Sequence, residues 1–395
     1  MELGSAIKNL AKRLKAYRDI IGFSEDFYLV RHPDVADAVK SGLYTSGLDH
    51  FLKHGWKEWR ETKPPSIKAG SRDAFAQTEF ASLKTIERRI QPLAFHLNKT
   101  ARRTANVFIP ALDNDLIFGG YIAFLNFLMR LSRSGMAIQF IVMEQADLSQ
   151  ATFAAFTKQE RWEGAFDNAI MLNATHRDII VEIGPEDQFY AYSCWTALDA
   201  APLAAACGRK LVFFIQEYEP TFHAYDSFHF IADSVYRLPH VAIFNSRALC
   251  EYFRKHGIGV FSHSNPEYLV FEHAITVLPK RTGAREGGPA LLFYARPEAH
   301  AARNLFAVGV MALRECARRG IITPSWSLTG IGATTHYTID IAPEIKLYGL
   351  PKAPLTQYQG IIANYSLGLS LMAAPHPGVV HFEWAASGLR TVVNT

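Results

Sequence analysis

The chain has 395 residues, 49% of them hydrophobic, and carries 41 basic against 37 acidic side chains for a net charge of +4. That length and apolar content suit two or three domains with substantial cores. The small basic excess excludes the footprint of a nucleic-acid-binding surface. Cys194, Cys207, Cys250 and Cys316 lie far apart, with no Cys-x-x-Cys pair and no histidine at zinc spacing, and read as reduced, mostly buried thiols of a cytoplasmic protein. Lysines and arginines interrupt Met1–Gly22, so it lacks the apolar core of a signal peptide. No apolar run reaches bilayer length.

Residues 5–21 place Ile7, Leu10, Leu14, Tyr17 and Ile21 at helical spacing, with Lys8, Lys12, Arg13, Lys15 and Arg18 over much of the remaining surface. This predicts a basic amphipathic helix packed on the next module; peripheral contact with an anionic membrane is the alternative. Two short helices with aromatic anchors Phe27, Tyr28, Phe51 and Trp56 should follow, ended by Pro64-Pro65. This stretch resembles a short bacterial module through Tyr28-Leu29, Pro33-Asp34-Val35-Ala36, His50-Phe51 and Gly55-Trp56-Lys57-Glu58. The resemblance implies attachment or spacing rather than chemistry. His32, His50 and His54 are expected to serve packing and surface rather than metal.

From about residue 104 the pattern becomes alternating strands and helices, the mark of a mostly parallel α/β sheet. Strands are expected at Asn106–Ala111, Ile138–Met143, Asp178–Ile183, Leu211–Ile215 and Val241–Phe244, with a helix over Gly120–Ser134. A second block is expected at Leu291–Tyr294, Trp326–Thr329, Ile345–Tyr348, Leu367–Leu371 and Thr391–Thr395. The Gly-rich, charged stretch Pro279–Pro289 separates them as a linker. The reading is thus a helical module at 1–65 and two Rossmann-like domains at 66–280 and 281–395. Ligands of such sheets sit at the C-terminal strand ends, here in a cleft between the two units.

Candidate chemistry falls on those strand ends. Gly119-Gly120 opens a helix, where backbone N–H groups and the helix dipole can meet a phosphate, although an ordinary tight turn uses the same residues. Asp113-Asn114-Asp115 has the spacing of an Asp-x-Asp metal motif, but loop polarity before a helix explains it. Gln216-Glu217-Tyr218-Glu219-Pro220, with Phe222, His223 and Tyr225, follows an apolar strand and reads as a sugar-binding wall of carboxylates and rings; a solvated loop is the plainer alternative. Arg296 and Arg303-Asn304 can neutralise a diphosphate. Pro375-His376-Pro377-Gly378 leads to Glu383, whose carboxylate can accept two ribose hydroxyls.

Together these segments resemble retaining family 4 glycosyltransferases, and more closely their rhamnan-synthesis, WsaF-like branch. The matching residues are Ile109-Pro110 with Phe118-Gly119-Gly120, Phe214–Pro220, Asn245-Ser246, Tyr294-Ala295-Arg296-Pro297 with Arg303-Asn304-Leu305-Phe306, and Pro375-His376-Pro377 with Glu383 and Ala385-Ala386-Ser387-Gly388. The resemblance implies a GT-B fold and metal-independent, cofactor-free transfer from a nucleoside diphosphate sugar held mainly by the second domain. It puts a glycan or lipid-linked glycan acceptor mainly on the first. By position it implies Arg296 and Arg303 on the diphosphate, Glu383 on the ribose, Gly119 and Gly120 at the donor phosphates, and Gln216, Glu217 and Tyr218 at the transferred sugar. Arg296, Arg303 and Glu217 are the expected catalytic set. Gly119, Gly120, Gln216, Tyr218, Glu219, Asn304, His376 and Glu383 are the expected substrate-binding set.

Where the wider family has a second glutamate before Glu383 this chain has Pro375, with His376 beside it, which predicts altered sugar recognition. The chain also stops at Thr395 just after an expected strand, so a C-terminal truncation is expected. The expected reaction is transfer of a deoxyhexose such as rhamnose, from its dTDP form, to a surface polysaccharide or glycan. A non-catalytic nucleotide-sugar or glycan-binding protein and a dinucleotide-dependent oxidoreductase are the rivals.

Overall fold

The computed structural model describes residues 23–55, 58, 60, 82–113, 119–275, 288–353 and 355–394. The expected helix at 5–21, Trp56, the Pro64-Pro65 stop, Asn114-Asp115 and most of the expected linker lie outside them. Chain contacts divide the molecule into two units, residues 1–87 and 88–395.

In the first unit, α1 (Glu25–Arg31), α2 (Pro33–Lys40) and α3 (Gly47–His50) surround Tyr28, Val35 and Phe51, which are buried almost completely. Ser24 caps α1 by accepting from Phe27 N–H, and Pro33 occupies the first turn of α2, where its missing N–H costs nothing. The Tyr28 hydroxyl lies 3.1 Å from Nδ1 of His50, and the His32 ring meets Tyr28 edge-on. His50 thus packs in the core of the module and His32 half-buried at its edge, and no group of three metal-binding side chains exists among the described residues.

The second unit holds two large sheets. Its strands are β1 (Ala94–Leu97), β2 (Thr104–Ile109), β3 (Ala137–Val142), β4 (Ile170–Asn173), β5 (Ile180–Ile183), β6 (Gln188–Ala191), β7 (Leu211–Ile215), β8 (His240–Phe244) and β9 (Tyr268–Val270). Seven of them form a wholly parallel sheet in the order β4-β3-β2-β6-β7-β8-β9, while β1 pairs only with β5. Without those two, the first six strands of the sheet stand in the doubly wound order 3-2-1-4-5-6, whose switch point lies between β2 and β6. The strand expected at Asp178–Ile183 therefore exists in part but sits outside the main sheet. Gln188–Ala191, too short to read from sequence, takes its place.

Strands such as Leu211–Ile215 are buried along nearly their whole length because helices cover both faces of the sheet. Here α4 (Gly119–Arg133) and α5 (Gln150–Thr157) bring Phe124, Leu128, Phe153 and Phe156 onto one face. On the other, α6 (Cys194–Ala206), α7 (Ser227–Val235) and α8 (Arg247–His256) bury Trp195, Leu203, Val235 and Phe253. Ser193 and Thr196 form a reciprocal capping box on α6, and Ser246 caps α8 by accepting from Leu249 N–H.

The second sheet contains β10 (Ala290–Tyr294), β11 (Ser327–Ala333), β12 (Tyr337–Ala342), β13 (Ile345–Pro351), β14 (Leu367–Leu369) and β15 (Arg390–Val392), in the order β12-β13-β11-β10-β14-β15. Every pair is parallel except β12 with β13. Its helices are α9 (Phe306–Arg318), α10 (Leu355–Ile362) and α11 (Val380–Ala386). Strand order again reverses about one point, between β10 and β14. No described helix is long and apolar enough to cross a membrane.

Candidate active site

Both switch points expose their loops at the C-terminal strand ends, and there the chemistry-bearing residues collect. On the first sheet, β7 runs into Gln216, whose Nε2 donates to the Gly120 carbonyl at 3.3 Å. A Cβ on Gly120 would lie 3.0 Å from Gln216 Oε1 and 3.1 Å from the Tyr192 hydroxyl, so any larger residue would crowd both side chains by a few tenths of an ångström. On Gly119 it would lie 3.7 Å from Val379, which precedes α11 of the second sheet. The glycine pair thus stands at the seam between the two halves.

Asn245 follows β8. Its Nδ2 has two hydrogens: one goes to the backbone carbonyl of Gln216 at 2.8 Å, and the other is shared between Gln216 Oε1 and His273 Nε2, each at 3.0 Å. The backbone carbonyl can only accept, which fixes the orientation of the amide.

Across the seam, Arg303 lies in the loop between β10 and α9. Its guanidinium carbon sits 4.2 Å from the centre of the Phe222 ring and its Nε lies 3.9 Å from Glu217 Oε1. The Arg303 carbonyl accepts from Ala373 N–H at 2.7 Å, tying this loop to the one after β14. Burial pushes the Glu217 carboxyl up to about 8 against the opposing pull of Arg303 and of a hydrogen bond from the His376 backbone. The charge pair is too long to offset desolvation fully, and Oε2 is buried with no partner. Glu217 therefore rests as a neutral acid at neutral pH.

The sign of this shift makes a prediction. Stability contributed by a carboxyl whose folded pKa is raised is fully present below its unfolded value, near 4.5, and is lost as pH rises through about 8. Glu217→Gln should therefore melt close to the wild type at pH 5 and above it at pH 9. An unchanged difference in Tm between the two pH values would remove this account of Glu217.

His376, in the loop after β14, accepts from Gly378 N–H through Nδ1 at 2.8 Å. Burial, together with His273, His381 and Arg303, pushes it down to about 3. Its ring is accordingly neutral, with the proton on Nε2. Arg296 lies 3.7 Å from Glu298 Oε2, and a Cβ on Gly332, at φ +102°, would lie 3.4 Å from the Arg296 side chain. Asn304 is 1% exposed; its Nδ2 meets the Met372 sulfur at 3.6 Å while Oδ1 has no partner. On α11, Glu383 Oε2 accepts from the Tyr358 hydroxyl at 3.5 Å, and that hydroxyl accepts from Trp384 Nε1 at 2.9 Å.

Two residues expected to face a sugar are turned elsewhere. The Tyr218 hydroxyl donates to Asp233, and its ring packs on Tyr236 and Phe253. Glu219 accepts from Cys194 N–H at 3.0 Å and from its thiol at 3.1 Å, and donates its own N–H to the Tyr236 hydroxyl. A 3-10 turn over Glu219–Phe222 redirects the chain, so both side chains enter the core and brace the start of α6. Conversely, the sequence offered no signal for His273, a lone histidine beyond an edge strand, and none for Tyr192, whose hydroxyl stands over Gly120. Of Asp113-Asn114-Asp115, only Asp113 is described.

The two sheets coincide with two family models: the WsaF N-terminal domain matches residues 104–247 and the WsaF C-terminal domain residues 289–395. The O-antigen biosynthesis protein RfbC of Myxococcus xanthus is 26% identical over 302 residues; the match covers 74% of this chain and 22% of RfbC. The chain thus spans about a fifth of that relative's length. Among solved structures, Anabaena Alr3699/HepE in complex with UDP and glucose aligns with a TM-score of 0.48 at 12% identity, over 74% of this chain and 80% of that one. Sucrose-phosphate synthase from Thermosynechococcus elongatus aligns with a TM-score of 0.47 at 9% identity, over 74% and 81%. With consecutive domain matches falling on the two halves of a two-sheet architecture, the chain belongs to the WsaF family.

Proposed function

We propose that this chain transfers a deoxyhexose such as rhamnose from a nucleoside diphosphate carrier to a surface polysaccharide or a lipid-linked glycan. The observation that supports the reading is the meeting of the two switch-point loop sets, Arg303 against Glu217 and Phe222 and Gly119 beside Val379. Arg296, Arg303 and Glu383 come from the second sheet, and Gly119, Gly120 and Gln216 from the first. The arginines suit a diphosphate, with bidentate guanidinium contacts to phosphate oxygens, and Glu383, steadied by Tyr358, suits the ribose diol. On this reading 281–395 is the donor domain, 66–280 the acceptor domain and 1–65 an attachment module.

The transfer is metal-independent and retains the anomeric configuration. The bond from the anomeric carbon to the diphosphate breaks as the acceptor oxygen bonds on the same face, and the acceptor proton passes to the departing phosphate oxygen. Positioning and electrostatics then supply most of the rate. The O-antigen role in the name of RfbC supports a polysaccharide acceptor.

The test is incubation with a panel of nucleotide sugars, dTDP-rhamnose and UDP-glucose included, while released nucleoside diphosphate is measured. Release with one donor is expected, and Arg296→Ala or Glu383→Ala should weaken that donor's binding about tenfold to a hundredfold, the loss of one charge-assisted hydrogen bond or more. Binding without release would favour a non-catalytic nucleotide-sugar receptor.

A further inference from the structure

His273 stands where nothing in the expected chemistry calls for a histidine, yet it touches both halves of the site. It lies beyond β9 of the first sheet, with Nε2 3.0 Å from Asn245 Nδ2. Its ring is 5.3 Å, centre to centre, from that of His376 in the second sheet's loop, and 5.7 Å from Phe271. Asn245 in turn holds Gln216 by its backbone carbonyl and by Oε1, and Gln216 contacts Gly120. We infer that His273 is a positioning residue: its neutral Nε2 accepts from Asn245, holds Gln216 against the Gly119-Gly120 turn, and docks the His376 loop of the second sheet. The inference rests on the donor site lying at these loops, as proposed above.

The chemistry of the contact gives it a switch. Because Asn245 Nδ2 must donate to the Gln216 carbonyl, His273 Nε2 must be the unprotonated acceptor. A proton on Nε2 would set donor against donor. Turning the amide over gives that proton an acceptor in Asn245 Oδ1 but sets the same oxygen against two oxygens of Gln216, and this response releases the Gln216 side chain.

Among the described residues, these are the charged and titratable groups around His273. Glu272, its neighbour in the chain, accepts from Arg247 N–H at 3.0 Å and lies 3.8 Å from the Arg247 guanidinium at the start of α8. His376 is the titratable group facing it from the second sheet, and Arg303 and His381 act on His376 beyond it. Burial lowers the His273 pKa, with Glu272 opposing. For a histidine depressed in this way the neutral, hydrogen-bonded arrangement is present above the unfolded value and is lost as pH falls through the folded one.

The decisive measurement follows the Gln216 side-chain amide by NMR in glutamine-labelled protein while the His273 ring is titrated. The Gln216 signal should move with the His273 midpoint, below the ordinary histidine value near 6.5. It should stay fixed in His273→Asn, whose amide oxygen replaces the acceptor and does not titrate. A Gln216 signal indifferent to the His273 titration overturns the proposal.

Turnover adds a second arm. With the donor that supports release in the panel above, His273→Leu should lose roughly tenfold to a hundredfold in kcat, the cost of a misplaced contact. Its KM for the donor should change little. His273→Asn should restore most of the loss and flatten the acid limb of the pH profile. Equal failure of His273→Asn and His273→Leu would also overturn the role. Absence of turnover with every donor in the wild type would count against the transferase reading instead, because the amide titration needs no substrate.

Discussion

Arg303→Ala is expected to lower kcat/KM by about 10²–10³-fold, the loss typical of one preorganised group that stabilises developing charge. The arginine is held for such a role. Phe222 supports one face of its guanidinium, and the Ala373 N–H fixes its backbone to the loop after β14. Its neighbour Glu217 rests mostly neutral at pH 7, so that carboxyl does not compete strongly with a phosphate for the guanidinium. For the same reason the substitution should be tolerated by the fold: the carboxyl left behind already prefers its proton, and Tm at pH 6 should change little. Arg303→Lys keeps the charge but loses the planar fork and the ring stacking, so it should recover only part of the loss. Wild-type kcat/KM in Arg303→Ala would end the assignment of Arg303 to the leaving group.

The largest expected effect on stability lies away from the seam. Arg177→Ala should cost about 3–5 kcal/mol, the range for removing one partner of a buried ion pair. The side chains of Arg177 and Asp199 are each 5% exposed. The guanidinium donates to both carboxylate oxygens and to the backbone carbonyls of Gln91 at 2.9 Å and Arg89 at 3.2 Å. It thereby joins the loop after β4, helix α6 and the segment leading to β1. Even beside this cation, burial raises Asp199 to about 6. Stability from a raised carboxyl is lost as pH climbs, so the deficit of Arg177→Ala in urea unfolding should be larger at pH 8 than at pH 5. Replacing both residues, as Arg177→Met with Asp199→Leu, should cost less than the single change because no buried charge is orphaned. A double variant no better than Arg177→Ala would show that the backbone contacts, not the charge, dominate.

Much of this architecture was readable because it rests on periodicity and on short-range backbone chemistry. Runs such as Leu211–Ile215 and Ala290–Tyr294 are apolar throughout, as strands covered on both faces must be. The Gly119-Gly120 pair, the arginines after β10 and the Pro-His-Pro loop mark strand ends by composition alone. Strand membership was less legible. Ile180–Ile183 and Gln188–Ala191 are both four-residue strands, and only sheet pairing assigns the second to the main sheet and the first to β1.

The sequence by itself determined the α/β alternation in two blocks, the loops proposed to carry the site, and the choice of Arg296, Arg303 and Glu383 as its candidate residues. Tertiary structure decided which way the side chains on those loops point. Tyr218 and Glu219 turn inward because Asp233, Tyr236 and the start of α6 offer them hydrogen bonds. Gln216 and Glu217, their neighbours, stay at the seam. His273 meets Asn245 and His376 although they are distant in the chain. Periodicity sets direction within helices and strands; in irregular loops direction follows from whichever buried partner satisfies each polar group, and those partners are assembled only by folding.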